Sequence, residues 1–284
     1  MDTSASPLLD AVQETRAAVD EIRLHDQLLA GSWRSHLEAL SGTLARLADH
    51  KGDWRALRPV RALACVAANE LVLATQFEAR LTKLPEGQLQ TISAELEVSF
   101  ASARERRAEA VAHLETKTED LLAEMRAELA VNPGIAPSRM LRYEERFGQD
   151  MGAAMRSYAE RIEQLLLELG GAAHAAVGAP AGGFLPARES RVPPHLDLGD
   201  VTVDDEARPP DELSRVAGRS IEPFRDRLAR QVDNAIETLE ARIERAGRFQ
   251  AQGEPAIRRR AEQLAKIAHR MGQLAERLDW MPLG

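Results

Sequence analysis

The segment from Gly87 to Val131 constrains the fold more than any other part of this sequence. It runs for 45 residues without a proline, and its apolar or small positions recur about every 3.6 residues from Leu89 to Leu129. As a helix it would be roughly 65 Å long, at about 1.5 Å per residue. Because the apolar stripe is narrow, neighbouring helices must cover it. The sequence therefore predicts long helices that pack side by side.

Stripes of the same period occur along most of the chain, and no strand-like alternation with turn residues interrupts them. Helices are predicted over residues 7–30, 33–50, about 53–84, 87–131, 137–169, 210–218, 220–252 and 255–280, separated by Gly, Pro or Asn. In the last of these the apolar period is 3.5 residues, which is typical of a coiled-coil seam. The predicted fold class is all-α, an elongated antiparallel helical bundle with coiled-coil-like long helices and a C-terminal helical arm.

Composition divides the chain into three predicted segments. Residues 1–169 are expected to form the helical bundle, residues 170–212 a flexible or extended linker, and residues 213–284 the long C-terminal helices. The linker is assigned because six glycines and six prolines fall among its 43 residues, and no apolar period survives there. The C-terminal arm is expected either to pack back on the bundle or to pair with another subunit.

Charge argues against binding to nucleic acid. The formal net charge is −8, and a large share of the excess acidic residues lies between Arg188 and Glu212. Arginines cluster at 104–107 and 258–260, but three residues are too few for a nucleic-acid interface, and no aromatic side chains are interleaved for base stacking. Contact with a membrane surface is possible, although it is less favoured in an acidic chain.

Cys65 is the single cysteine, so no disulfide can form within the chain. It lies in an apolar run, which favours a buried, inert thiol. The first residues do not resemble a secretory signal, and no apolar run is long enough to span a membrane. A soluble, cytoplasmic protein is expected.

No pattern in the sequence predicts reaction chemistry. Phosphate-binding loops, the Gly-x-Ser-x-Gly motif and the Glu-x-x-His pairs of di-metal bundles are missing from the sequence. Glu109 with His113, and Glu21 with His25, share a helix face but are interpreted as surface contacts. The chain is accordingly predicted to be no enzyme and to have no catalytic, metal or cofactor site.

Several residues are instead candidates for binding a protein partner. Arg107 occupies a stripe position in the long helix, where a charge can fix helix register or meet an acidic group. Arginines 258–260 could meet phosphate, a lipid headgroup or the acidic linker, and apolar islands in the linker could dock as extended peptides. The full candidate set is Arg107, Phe184, Leu185, Pro193, Pro194, Leu196, Arg258, Arg259, Arg260, Leu264, Met271 and Leu278.

The interleaved acids and arginines of residues 222–230 and 240–245 are interpreted as solvated helix faces, with selection of a partner by charge as the alternative. The leading functional hypothesis is a non-enzymatic scaffold or assembly protein that binds protein partners, or itself, through helix faces and the acidic linker. One alternative is a peripheral membrane-binding or pore-forming helical protein. Another is an accessory subunit of a multi-protein enzyme complex.

Overall fold

The computed structural model describes residues 58–131, 137–181 and 210–280, together with the isolated positions 17 and 45. Within these ranges the chain forms five helices and no strand, so the all-α helical bundle is confirmed. The helices are α1 (Arg58–Lys83), α2 (Glu86–Val131), α3 (Pro137–Val177), α4 (Pro210–Ala251) and α5 (Glu254–Trp280). The predicted helices before residue 53 and most of the predicted linker lie outside the described residues.

Helix α2 has the length and the buried face that its sequence predicts. It contains 46 residues, and its buried stripe includes Leu96, Phe100 and Leu114, each 2% exposed or less. The turn before it is short, because α1 ends at Lys83 and α2 begins at Glu86. Its last described residue is Val131, directly before the predicted end at Asn132, which lies outside the described residues.

Helix α3 begins at Pro137 as predicted, but its predicted end at Gly170–Gly171 is wrong. The helix continues to Val177, and the chain beyond it is described as far as Ala181. Two glycines inside a helix cost about 2 kcal/mol relative to alanine. Burial of Ala173 (0% exposed) and Val177 (6%) offsets that cost, so the first residues of the predicted linker are helical.

A second predicted boundary, the break between residues 218 and 220, is also wrong. Residues 210–218 and the helix capped by Ser220 were predicted to be separate, whereas one helix of 42 residues runs from Pro210 with Pro223 inside it. A proline in a helix interior removes one hydrogen bond and usually kinks the helix. Pro223 is exposed, while Ile221 and Phe224 on either side of it are buried, so packing holds the helix across the proline.

The described chain divides into two compact units. Among the described residues of the three long ranges, unit 1 contains residues 58–100, 168–181 and 234–280, and unit 2 contains residues 101–131, 137–167 and 210–233. In unit 1, α5 packs along α1. The C-terminal helix therefore packs back within the chain, which is one of the two predicted alternatives.

Candidate functional site

A cluster of charged side chains lies in the interior of unit 1, which is unusual because buried charges require partners. Glu78 of α1 is 0% exposed. Its carboxylate accepts hydrogen bonds from Arg260 of α5, with Nη2 at 2.6 Å and Nε at 3.3 Å. The Nη2 atom of Arg245 on α4 lies 3.6 Å from the other carboxylate oxygen, Oε2. One buried carboxylate thus joins three helices, and we call Glu78, Arg242, Arg245 and Arg260 the Glu78 cluster.

Arg242 is the fourth member of the Glu78 cluster and is 1% exposed. It lies three residues before Arg245, so both arginines project from the same face of α4. Its Nη1 donates a hydrogen bond to the carbonyl oxygen of Ala181 at 2.7 Å, which ties the end of the α3 segment to α4. Burial lowers the pKa of Arg242 to about 10, against the raising effect of Glu78. At neutral pH the guanidinium therefore remains charged.

Two further contacts near Glu78 link the same three helices. The Arg260 guanidinium lies over the Phe249 ring, 5.3 Å from its centroid, so this cation also contacts an aromatic face of α4. Gln250 of α4 donates a hydrogen bond from Nε2 to the carbonyl oxygen of Leu84 at 2.5 Å, just beyond the last turn of α1. Because these contacts need one relative position of α1, α4 and α5, a shift by one turn would separate the charges.

A groove of about 460 Å³ lies between α1 and α5 in unit 1. Its lining is mostly small or apolar: Ala79, Ala179, Pro180, Ala261, Leu264, Ala265 and Ala268, with Thr75, Gln76, Arg80, Lys83 and Gly178. A second region of about 460 Å³ shares Lys83, Ala261 and Ala265 with it and extends to Glu254 and Arg258. Because the two regions share these lining residues, we call them together the α1–α5 groove.

One wall of the α1–α5 groove is held in place by Arg80. Its Nη1 donates a hydrogen bond to the carbonyl oxygen of Gly178 at 2.5 Å, and Val177 offers a second, longer contact at 3.4 Å. Gly178 has a φ of +66°, a conformation that residues with a Cβ rarely adopt. This turn directs Ala179 and Pro180 along the groove.

A second polar layer lies in unit 2, where α2 meets α4. Arg107 forms an ion pair with Asp233 at 2.5 Å, and Arg225 forms one with Glu115 at 2.5 Å. The hydroxyl of Tyr158 on α3 donates a hydrogen bond to the backbone carbonyl of Arg225 at 2.9 Å. Burial raises the pKa of Tyr158 to about 12, and the nearby Arg225 and Arg107 partly oppose that shift. This layer links three helices within unit 2.

The predicted partner-binding residues fall in different environments. Arg107 meets an acidic side chain, as the sequence suggests for a charge at a stripe position. Arg258 and Arg259 are exposed, and Arg258 pairs with Glu254 at 3.1 Å. Arg260 does not lie beside them on the surface, because it is 2% exposed and bound to Glu78. Of the three arginines suggested to meet phosphate, a lipid headgroup or the acidic linker, Arg260 instead binds a carboxylate inside unit 1.

The predicted apolar candidates of α5 are largely used inside the chain. Leu264 and Met271 are each 0% exposed, so neither is available to another protein. The side chain of Leu278 lies outside the described residues, as do the linker candidates Phe184, Leu185, Pro193, Pro194 and Leu196.

Sequence reasoning missed the Glu78 cluster. Residues 240–245 were interpreted as a solvated face, yet Arg242 and Arg245 are buried. The available signal was position: Arg242 follows Leu239 by three residues and precedes Ala246 by four, so it belongs to the buried face of α4. Glu78 likewise lies beside Phe77 in the most apolar of the described helices. Cys65 is half-buried rather than buried, with Sγ 3.7 Å from the carbonyl oxygen of Ala275.

The fold and these contacts define a class, an all-α helical bundle whose helices are joined by buried ion pairs. Searches of protein-family models, curated proteins and solved structures found no match to this chain. Across the described helices, no run of residues is long and apolar enough to cross a membrane. The same described residues hold no group of three or more His, Cys, Asp or Glu side chains placed to bind a metal ion.

Proposed function

We propose that this chain is a non-enzymatic helical scaffold that binds protein partners through the exposed faces of its helices. The observation that supports this function is the Glu78 cluster. A buried ion pair is a poor source of net stability, and its best-attested role is to specify one register among several that apolar packing alone would allow. A scaffold needs such a device, because its partners recognise a fixed spacing of surface side chains.

The exposed faces of α4 and α5 carry charges that suit selective contact with a partner. Glu244 and Arg248 on α4, and Glu254 and Arg258 on α5, form exposed pairs four residues apart, at 3.9 Å and 3.1 Å. Exposed pairs contribute about 0–1 kcal/mol to stability, so folding does not require them. Such charges set the specificity and the rate of association when they face complementary groups on another protein.

Photo-crosslinking in the native cells tests this proposal. A photoreactive amino acid is placed at Arg259, exposed on α5, at Glu244, exposed on α4, or at Val98, which is 72% exposed on α2. The scaffold function predicts that one position captures the same protein in replicate experiments. Reversal of neighbouring charges should then abolish that crosslink while circular dichroism stays unchanged.

Three outcomes would contradict the scaffold function. Failure of all three positions to capture a protein would remove its support. Salt-sensitive co-sedimentation of the purified chain with anionic lipid vesicles, without a protein crosslink, would favour the peripheral membrane alternative. Capture of one catalytic protein at fixed stoichiometry would favour the accessory-subunit alternative.

A further inference from the structure

Residues 178–181 follow α3 as a short, non-helical segment that is packed on other parts of unit 1. The segment begins at Gly178, whose φ of +66° is the left-handed conformation common directly after a helix. Ala179 is 5% exposed and Ala181 is 2% exposed, whereas Gly178 and Pro180 are exposed. Two small side chains therefore provide all of its buried apolar surface. We call residues 178–181 the strap.

Two arginines from different helices hold the ends of the strap. Arg80 of α1 donates a hydrogen bond from Nη1 to the carbonyl oxygen of Gly178 at 2.5 Å, and Arg242 of α4 donates one from Nη1 to that of Ala181 at 2.7 Å. Arg80 is exposed, so water competes for its hydrogen bond, whereas Arg242 is 1% exposed. A hydrogen bond from a buried charged group is costly to lose, so Arg242 is the stronger of the two anchors.

We infer that the strap closes over the Arg242 side of the Glu78 cluster and opens by itself while the helices stay folded. The helices beneath it are held by large buried side chains, such as Phe77, Leu239 and Leu264, each 0% exposed. The strap is held by two alanines and two hydrogen bonds. Segments with few buried apolar contacts open locally, at a lower free energy than global unfolding requires.

Opening of the strap changes the surroundings of Arg242. With the strap closed, burial lowers the pKa of Arg242, and the charge of Glu78 opposes that shift. Arg242 is therefore shielded from water and within electrostatic range of Glu78. Opening brings water to its guanidinium and screens its charge from the rest of the Glu78 cluster. The strap thus controls the hydration of these buried charges, and the inference does not rest on the proposed scaffold function, because every contact that carries it lies inside unit 1.

Thiol labelling of the folded, full-length chain tests the inference. Cys65 is the single cysteine, so C65A provides a cysteine-free background. A181C then places a thiol at the buried end of the strap. Two matched controls replace alanines of α3: A173C at a fully buried position and A175C at an exposed one. A buried thiol reacts only after an opening event, and the urea dependence of its labelling rate increases with the surface that this event exposes.

We expect A181C to label at least a hundredfold more slowly than A175C and at least tenfold faster than A173C. The labelling rate of A181C should change little with urea below the unfolding midpoint, whereas that of A173C should rise steeply. Labelling of A181C as fast as A175C would show that the strap is not closed. The same urea dependence for A181C and A173C would overturn separate opening.

Removal of either anchor should speed the labelling of A181C. R242M, which removes the buried anchor, should speed it at least tenfold, and R80A, which removes the exposed one, at least threefold. The matched control is R258A, because Arg258 is an exposed arginine that pairs with Glu254 and not with the strap. R258A should leave the rate unchanged. If R242M also leaves the rate unchanged, Arg242 does not hold the strap closed and the inference fails.

A second variant keeps the inference testable if A181C disturbs folding. A179C places the thiol at the other buried position of the strap, in the same cysteine-free background. Because the strap opens as one unit, labelling of A179C should show the same weak urea dependence. If A179C labels only through global unfolding, as A173C does, the strap has no opening of its own and the inference is overturned.

Discussion

Replacement of Glu78 by glutamine keeps the size of the side chain and removes the negative charge that Arg245 and Arg260 face. Glu78 is fully buried, and its carboxylate lies 2.6 Å from Nη2 of Arg260 and 3.6 Å from Nη2 of Arg245. In E78Q both guanidinium groups, 5% and 2% exposed, stay in the interior without this anion. We therefore expect a large loss of stability from a change of very few atoms.

The magnitude follows from the burial of the charges. Removal of one partner from a buried ion pair costs about 3–5 kcal/mol, because the charge that remains is left uncompensated. With a urea m-value of about 3 kcal/mol/M, the unfolding midpoint falls by about 1–1.7 M. Replacement of both Glu78 and Arg260 by methionine should recover part of this loss. The double variant should lose about 0.5–3 kcal/mol less in free energy of unfolding than the two single methionine variants lose together.

Urea unfolding followed by circular dichroism measures these differences. The matched control is E244Q, since Glu244 pairs with Arg248 at 3.9 Å on the same helix and both side chains are at least 64% exposed. The free energy of unfolding that E244Q loses should stay below about 1 kcal/mol. If the free energy of unfolding of E78Q lies within about 1 kcal/mol of the wild-type value, the buried carboxylate does not hold α1, α4 and α5 together.

Three further predictions concern single positions. Gly171→Ala should raise the free energy of unfolding in urea by about 0.4–1 kcal/mol, because no atom lies within 4 Å of the added Cβ at that helical site. Gly178→Ala should lower it, because the Cβ would lie 2.9 Å from Nη1 of Arg80 and the φ of this residue is +66°. Equal effects of the two substitutions would contradict this. Tyr158→Phe should lower the free energy of unfolding below pH 10. This difference from the wild type should shrink as pH rises from 10 to about 12, because the unfolded chain loses the Tyr158 proton near pH 10 and the folded chain only near its raised pKa of about 12. A deficit constant to pH 12 would contradict the raised pKa. Pro223→Ala should raise the thermal midpoint by removing an exposed proline from a helix interior, and a lowered midpoint would show that α4 needs a kink there.

Periodicity was enough to predict much of the fold. The apolar stripe from Leu89 to Leu129 predicted α2, and the glycine at Gly253 predicted the turn between α4 and α5. Both features are visible in the local sequence and need no knowledge of the packing. The predicted helix ends at Gly170–Gly171 and at Gly218 were wrong for one physical reason. Tertiary burial of residues further along the same helices, such as Val177 and Ile221, outweighs the local cost of glycine, and a single sequence does not display that burial.

The candidate site was harder to predict because it depends on contacts distant in sequence. Glu78 and Arg260 are 182 residues apart, and nothing in their local sequence pairs them. Arg107 was recognised because its charge interrupts an apolar stripe. Arg242 and Arg245 were not, since they lie among acids in a segment that resembles a solvated face. The spacing of Arg242 to Leu239 and Ala246 marks it as buried, but its partner is found only when the packing of α1 against α4 is known.

The central claim is that the Glu78 cluster holds α1, α4 and α5 in one register. Native-state hydrogen exchange measured along α1, in the wild type and in E78Q, tests it most directly. We expect the amides of residues 75–82 to exchange only through global unfolding in the wild type and through a smaller, local opening in E78Q. E244Q should match the wild type. Local opening of these amides already in the wild type, or unchanged exchange in E78Q, would contradict the claim.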